Sequence, residues 1–516
     1  MTLTQKIGQR FAVGFTGKTL SAEFRRLVKE YKVGNVILFR ENLENASQAL
    51  RLTGEIRRLI EDETGWTPFI ALDQEGGVVT RLPPDMVNVP GAMALAGDRQ
   101  AVYEAARITA RELKRIGVNV NLSPVLDVNS NPANPVIGVR SFGSNPELAG
   151  ALGCEALRAY TDAGLLCCGK HFPGHGDTAV DSHLALPLVD KDIAALEACE
   201  MVPFRAAIAA GIPAVMTTHI LFPRVEERNL PATMSRAIIT GLLKERLGFS
   251  GLVLSDGMEM KAIKDYYGVP EGCLAALAAG VDIVYICHDP LQMEAGLQAA
   301  AYRYGEGRFD GEEFDRSVEK ILEYKEKYAC PGSKAEEGGD IQRQNALLMR
   351  RTITLAGSAG LPPLGVRPFF SGPLAYRSTI ASAKPDDSLS FASWFARHLG
   401  GDGVQSSLNP GKAEIETICS RAAGHSAIVL GCYNAHLNLG QIDLAKALSR
   451  FPVPFIAAAL RNPYDLQLMP EHTVKLAVWE YTENSFEAAA AALRGEYVPQ
   501  SRTDFLHQES FPKTEV

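Results

Sequence analysis

Through the first two thirds of the chain, short apolar runs alternate with longer stretches in which apolar residues recur every three or four positions. The short runs predict β-strands over residues 10–15, 33–39, 69–73, 118–122, 165–171, 213–219, 251–256 and 281–287. Amphipathic stretches over 46–60, 101–116, 146–162 and 193–210 predict helices long enough to cross between parallel strands. Eight such alternations within about 330 residues predict a TIM-type (β/α)8 barrel with long loop insertions. Functional groups are then expected on one rim, at the C-terminal ends of the strands.

Beyond residue 325 the pattern changes. Cys330-Pro331-Gly332-Ser333-Lys334 and the Glu- and Gly-rich residues after it read as a linker, and new strand-like runs follow at 352–356, 367–370, 426–431, 454–459 and 474–479. The expected organisation is a barrel domain over 1–328, a linker over 329–340 and a smaller α/β sandwich domain over 341–516. A length of 516 residues, more than one hydrophobic core usually serves, agrees with two domains.

Four segments carry polar groups at or just after strand ends. Lys170-His171-Phe172-Pro173-Gly174-His175-Gly176, followed by Asp177 and Asp181-Ser182-His183, is a loop shaped by glycine and proline. The apolar run 251–254 delivers Ser255 and Asp256, and the run 69–72 delivers Asp73-Gln74-Glu75-Gly76-Gly77. Val139-Arg140-Ser141-Phe142-Gly143 is the fourth. A strand-end carboxylate placed to attack, a histidine beside a carboxylate, and cations and acids to bind hydroxyls are what a sugar site needs. From residue types alone, Asp181 also fits a helix cap or Asx turn, His183 a satisfied loop histidine, Asp256 a strand cap, and Arg140 a structural clamp. Asp127, His219 and Glu75 read as supporting groups. His171, His175, Asp177, Asp181 and His183 resemble a metal cluster on paper, but their spacing matches no established helix-borne ligand pattern, so no metal or cofactor is expected.

Together, and in this order, the four motifs resemble the family 3 glycoside hydrolases, and within them the β-N-acetylglucosaminidases of the bacterial cell-wall recycling type in their two-domain form. The resemblance implies Asp256 as nucleophile, His183 as general acid/base with Asp181 as its dyad partner, and Asp73, Arg140, Lys170 and His171 as sugar-binding groups. Some relatives carry a second Asp after the nucleophile, and here Gly257 stands in that place. The C-terminal part is similar, more weakly, to the second domain of such enzymes through Leu460-Arg461-Asn462-Pro463-Tyr464-Asp465-Leu466. In other branches that domain supplies a carboxylate acid/base. Glu480 or Asp465 would be the candidates here, and the loop dyad makes them unnecessary.

The implied reaction is retaining hydrolysis of a terminal β-linked N-acetylglucosamine, with muropeptides as the expected substrate. A neutral imidazole does not repel anions as a carboxylate does, so phosphorolysis stands as the alternative within the fold, followed by a metal-dependent hydrolase and a non-catalytic sugar-binding protein. A net charge of -8 without a dense basic cluster argues against nucleic acid or an anionic membrane as partner. No run is long enough to span a membrane, and the first residues lack a secretory pattern. The nine cysteines form neither a zinc motif nor a disulfide framework, which places the chain in the cytoplasm as an expectation.

Overall fold

The computed structural model describes residues 1–179, 186–307, 309–329, 340–357, 360–377, 379, 381–503 and 505. Its first unit is a closed, all-parallel barrel of β1 (Phe11–Val13), β2 (Asn35–Leu38), β3 (Phe69–Leu72), β4 (Val120–Asn121), β5 (Leu166–Phe172), β6 (Ala214–Thr217), β7 (Leu252–Gly257) and β8 (Ile283–Ile286). β8 pairs with β1 to complete the ring. The TIM-type expectation holds, with most strands about three residues shorter than their runs and β5 and β7 shifted one residue along theirs. Helices Ala46–Thr64, Arg99–Arg115 and Pro146–Asp162 stand where the amphipathic pattern put them.

The stretch 193–210 is a correction. It forms two helices, Ile193–Ala198 and Met201–Ala209, and the chain leaves helical geometry at Cys199 (φ -133°, ψ -80°). Pro203 explains the break, because its ring would collide with the carbonyl four residues earlier, that of Cys199, and it has no N–H to bond there.

Inside the barrel the pleat selects every second residue. Phe69 and Ala71 of β3, Leu166 and Cys168 of β5, Leu252 and Leu254 of β7, and Ile283 and Tyr285 of β8 pack in one buried cluster. Ile321, Tyr328 and Ala329, in or just after helix Gly311–Tyr328, join the same cluster.

The second unit gathers residues Asp340–Val516 with Val89–Ala101 and Gly138–Arg140. The central part of the expected linker, residues 330–339, lies outside the described residues. The unit's sheet has the order β11-β10-β12-β13-β14-β9-β15. The strands are β9 (Thr354–Leu355), β10 (Pro368–Gly372), β11 (Asp402–Gln405), β12 (Ala427–Cys432), β13 (Phe455–Ala459), β14 (Val474–Ala477) and β15 (Gln500–Ser501). Only the β14–β9 pair is antiparallel. Sequence reading misses β11 and β15. One is a half-exposed edge strand holding a glycine and the other an exposed polar dipeptide, so neither shows an apolar run.

Glu480 is buried in this unit. One carboxylate oxygen accepts the Gly91 N–H at 2.6 Å, the other has no partner among the described residues, and burial pushes the carboxyl up to about 7. A folded value above the unfolded one means stability that is fully present below about 4.5 and is lost as pH rises through 7. Glu480→Gln is therefore expected to match the wild type near pH 4.5 and to be the more stable protein above pH 7, by on the order of 3 kcal/mol. Urea melts at several pH values check this, and parallel curves for the two proteins would refute it.

Candidate active site

The inward phase of the pleat continues past the apolar core into polar residues. After Phe69 and Ala71 comes Asp73, after Leu166 and Cys168 comes Lys170, and after Leu252 and Leu254 comes Asp256. A barrel of shear eight climbs about two residues for every pair of strands, so its interior layers hold four residues from alternate strands. Followed through the strand registers, that climb puts Gly14, Asp73, Lys170 and Asp256 in one layer, at the C-terminal ends of β1, β3, β5 and β7. Glycine is required at the first position, because a Cβ on Gly14 would lie 2.0 Å from the Cys287 carbonyl oxygen.

Electrostatics agree with this placement. The Lys170 ammonium, almost fully buried, donates to Asp73 Oδ1 at 2.7 Å and lies 2.7 Å from Glu75 Oε1. Burial pushes the Cys168 thiol up, with Lys170 opposing and Asp73 and Asp256 adding to the rise. The Cys287 thiol is also raised by burial, and the charges of Glu259, Asp256 and Asp73 add to it. One set of interior groups thus feels Asp73 and Asp256 together.

The histidine loop is organised by Asp127, a buried carboxylate in the loop after β4. Its Oδ1 accepts the backbone N–H groups of His171 (3.1 Å) and His175 (2.7 Å), and its Oδ2 lies 2.7 Å from His171 Nδ1. Burial raises the Asp127 carboxyl, but the His171 charge and hydrogen bond, with His175, outweigh it and hold the group below the usual carboxylate range. His175 Nδ1 pairs with the Thr178 hydroxyl at 3.0 Å. Asn134 donates to the His175 carbonyl and the Thr178 hydroxyl, which fixes the same turn from the β4 side. Gly176 allows the close approach, since a Cβ there would overlap the Val128 carbonyl oxygen at 1.6 Å. Further along, Lys191 bridges Asp177 (3.1 Å) and Glu200 (2.5 Å).

Asp256 is half-buried, and its Oδ1 accepts the Gly257 N–H at 2.7 Å. The β7–β8 register shifts between Leu254 and Gly257, and Ser255 Oγ takes the Tyr285 N–H there at 2.9 Å. His219, fully buried, donates from Nε2 to the Gly257 carbonyl and pairs through Nδ1 with Thr233. Glu259 accepts the N–H groups of Cys287, His288 and Asp289 at 2.5, 2.8 and 2.6 Å, tying the turn after β7 to the loop after β8.

Of the residues expected from sequence, Asp73, Lys170 and Asp256 share the interior layer, and His171, the residue after Lys170, is held on Asp127. Arg140, buried in the short helical turn Gly138–Arg140, belongs to the second unit. Asp181 and His183 lie outside the described residues. The reading of Asp127, His219 and Glu75 as supporting groups agrees with these bonds, and sequence reading passes over Glu259. Glu75 has a readable signal in its place two residues after Asp73. Asp127 and Glu259 do not, because their partners are backbone amides from other segments.

A barrel rim that holds a strand-end carboxylate with a lysine and a second carboxylate in one interior layer has the equipment of a glycoside hydrolase. The chain belongs to glycosyl hydrolase family 3, whose N-terminal domain matches residues 2–324. It is 39% identical over 284 residues to beta-hexosaminidase A of Pseudoalteromonas piscicida, a match covering 51% of this chain and 47% of that protein. The chain thus spans about half the length of that relative. It is 35% identical over 281 residues to the beta-hexosaminidase of Neisseria meningitidis serogroup C (strain 053442), covering 52% of this chain and 76% of that one. A solved family 3 beta-N-acetylglucosaminidase from Paenibacillus sp. str. FPU-7 superposes with a TM-score of 0.89 at 36% identity, over 98% of this chain and 99% of that one.

Proposed function

We propose that the chain is a retaining, exo-acting β-N-acetylglucosaminidase that removes terminal β-linked N-acetylglucosamine, with muropeptides as its natural substrates. The observation that carries this is the layer formed by Asp73, Lys170 and Asp256 at the mouth of the barrel, on the rim where such chemistry is done. The names of the beta-hexosaminidase relatives and of the Paenibacillus structure support the choice of sugar.

In this reading residues 1–328 are the catalytic domain, 329–340 a linker and 341–516 an accessory domain. Asp256 attacks the anomeric carbon and forms a glycosyl ester. His183, protonated and oriented by Asp181, gives its proton to the leaving oxygen. Water then loses a proton to neutral His183 and breaks the ester. Lys170 and Asp73 bind sugar hydroxyls as a pre-paired donor and acceptor, His171 does so from its seat on Asp127, and Arg140 is assigned to the sugar on the family resemblance. A cytoplasmic location is part of the proposal. No helix among the described residues is long and apolar enough to cross a membrane. Buried thiols such as Cys167 and Cys273, pushed well up by burial, suit a reducing compartment.

The test is turnover of chromogenic β-N-acetylglucosaminide, β-glucoside and β-N-acetylgalactosaminide, each with and without phosphate. Hydrolysis of the first in preference to the others is expected, with product formation independent of phosphate. Preference for the glucoside would overturn the sugar assignment, and a phosphate-dependent sugar 1-phosphate would make the protein a phosphorylase.

A further inference from the structure

A cavity of about 740 Å3 opens at the other end of the barrel, where its lining residues Arg10 and Asp282 stand just before β1 and β8. That volume is within the range of small-molecule sites. Its wall carries five cations, Arg10, Arg236, Lys244, Arg316 and Lys320, against three carboxylates. The excess of two positive charges stands out in a chain of net charge -8.

Each carboxylate is already committed. Asp282 pairs with Lys320 at 2.7 Å and accepts the Val253 N–H and the Ser317 hydroxyl. Asp310 caps helix Gly311–Tyr328 through the N–H groups of Glu312 and Glu313, and Glu313 faces Arg236 at 3.2 Å. Two cations keep donor capacity. Arg10 is 3% exposed and donates through Nε and Nη2 to the carbonyls of Asp282 and Val281, but its Nη1 has no acceptor among the described residues. The Lys244 ammonium has one hydrogen-bond acceptor there, the Gly280 carbonyl at 2.6 Å. Burial lowers both groups, Arg10 to about 10, so a bound anion would offset part of the desolvation cost of their charges. Phe309 supplies an apolar wall beside them.

We propose that this cavity is a second ligand site, which takes a phosphate monoester with an aromatic or apolar substituent. The dianionic phosphate matches the two surplus charges and bonds Arg10 and Lys244, and the substituent lies against Phe309. Because the cavity faces away from the Asp256 rim, occupancy is independent of the glycosidic reaction.

The experiment is calorimetric titration of the full chain with phenyl phosphate, inorganic phosphate and benzyl alcohol. Phenyl phosphate is expected to bind with a Kd below about 1 mM, more tightly than inorganic phosphate, and benzyl alcohol not at all. Lys244→Gln should weaken phenyl phosphate at least tenfold with glycoside turnover unchanged, and Lys244→Arg should retain binding. The proposal is overturned if the wild type gives no heat of binding, if Lys244→Gln binds as the wild type does, or if benzyl alcohol binds equally well.

Discussion

On the proposed mechanism Asp256→Asn is expected to lower kcat on a β-N-acetylglucosaminide to about one-thousandth of the wild-type value or less, because the neutral amide cannot form the glycosyl ester. Folding should hardly change. The carboxylate is half-buried and accepts the N–H of the next residue, a bond that the amide oxygen of asparagine can also accept. Steady-state kinetics combined with a urea melt separates the two effects. A variant that keeps a tenth of the activity would remove Asp256 from the nucleophile role, whereas loss of activity together with loss of folding would leave its part in the chemistry open to a gentler substitution such as Asp256→Glu.

Asp127→Ala is expected to act in the opposite way, on the fold first. It strips acceptors from two backbone N–H groups and the His171 ring, all buried, and losing one side of a buried charged network typically costs about 3–5 kcal/mol. Asp127→Asn should cost less, since one amide oxygen can still receive both backbone donors. The pH dependence separates them further. The folded carboxyl lies below its ordinary value of 3.8, so its contribution is present above that pH and is lost as pH falls through the folded value. The stability gap between wild type and Asp127→Asn should therefore be widest near neutrality and narrow below pH 4. A gap that stays constant with pH would show that the charge of Asp127 contributes nothing.

Much of this molecule is legible in its residues. Every barrel strand lies on a predicted run, with β5 and β7 each reaching one residue past theirs, because a strand buried on both faces needs a stretch of apolar residues. The site is legible where it lies on those strands, since counting by twos from Phe69, Leu166 or Leu252 arrives at Asp73, Lys170 or Asp256. It is not legible where distant segments meet. Nothing near Asp127 or Glu259 in sequence announces that each will accept three donors from another loop. The broken helix at Cys199 was readable from Pro203, whose effect falls four residues upstream of the proline itself. β11 and β15 escape because edge strands owe their pairing to a neighbour rather than to their own composition.

The layer of Gly14, Asp73, Lys170 and Asp256 also bears on how such an enzyme can change over time. On the proposed mechanism Asp73, Lys170 and Asp256 serve at once in the topmost course of the barrel interior and as reactive equipment, so a substitution at any of the three is judged on both counts together. Loop residues outside the Asp127 network and the proposed His183–Asp181 pair carry no such double duty. New sugar preferences are accordingly expected to arise in the loops after the strands, with the layer beneath them held fixed, and a library randomised in those loops should return altered specificity far more often than one randomised at the four layer positions.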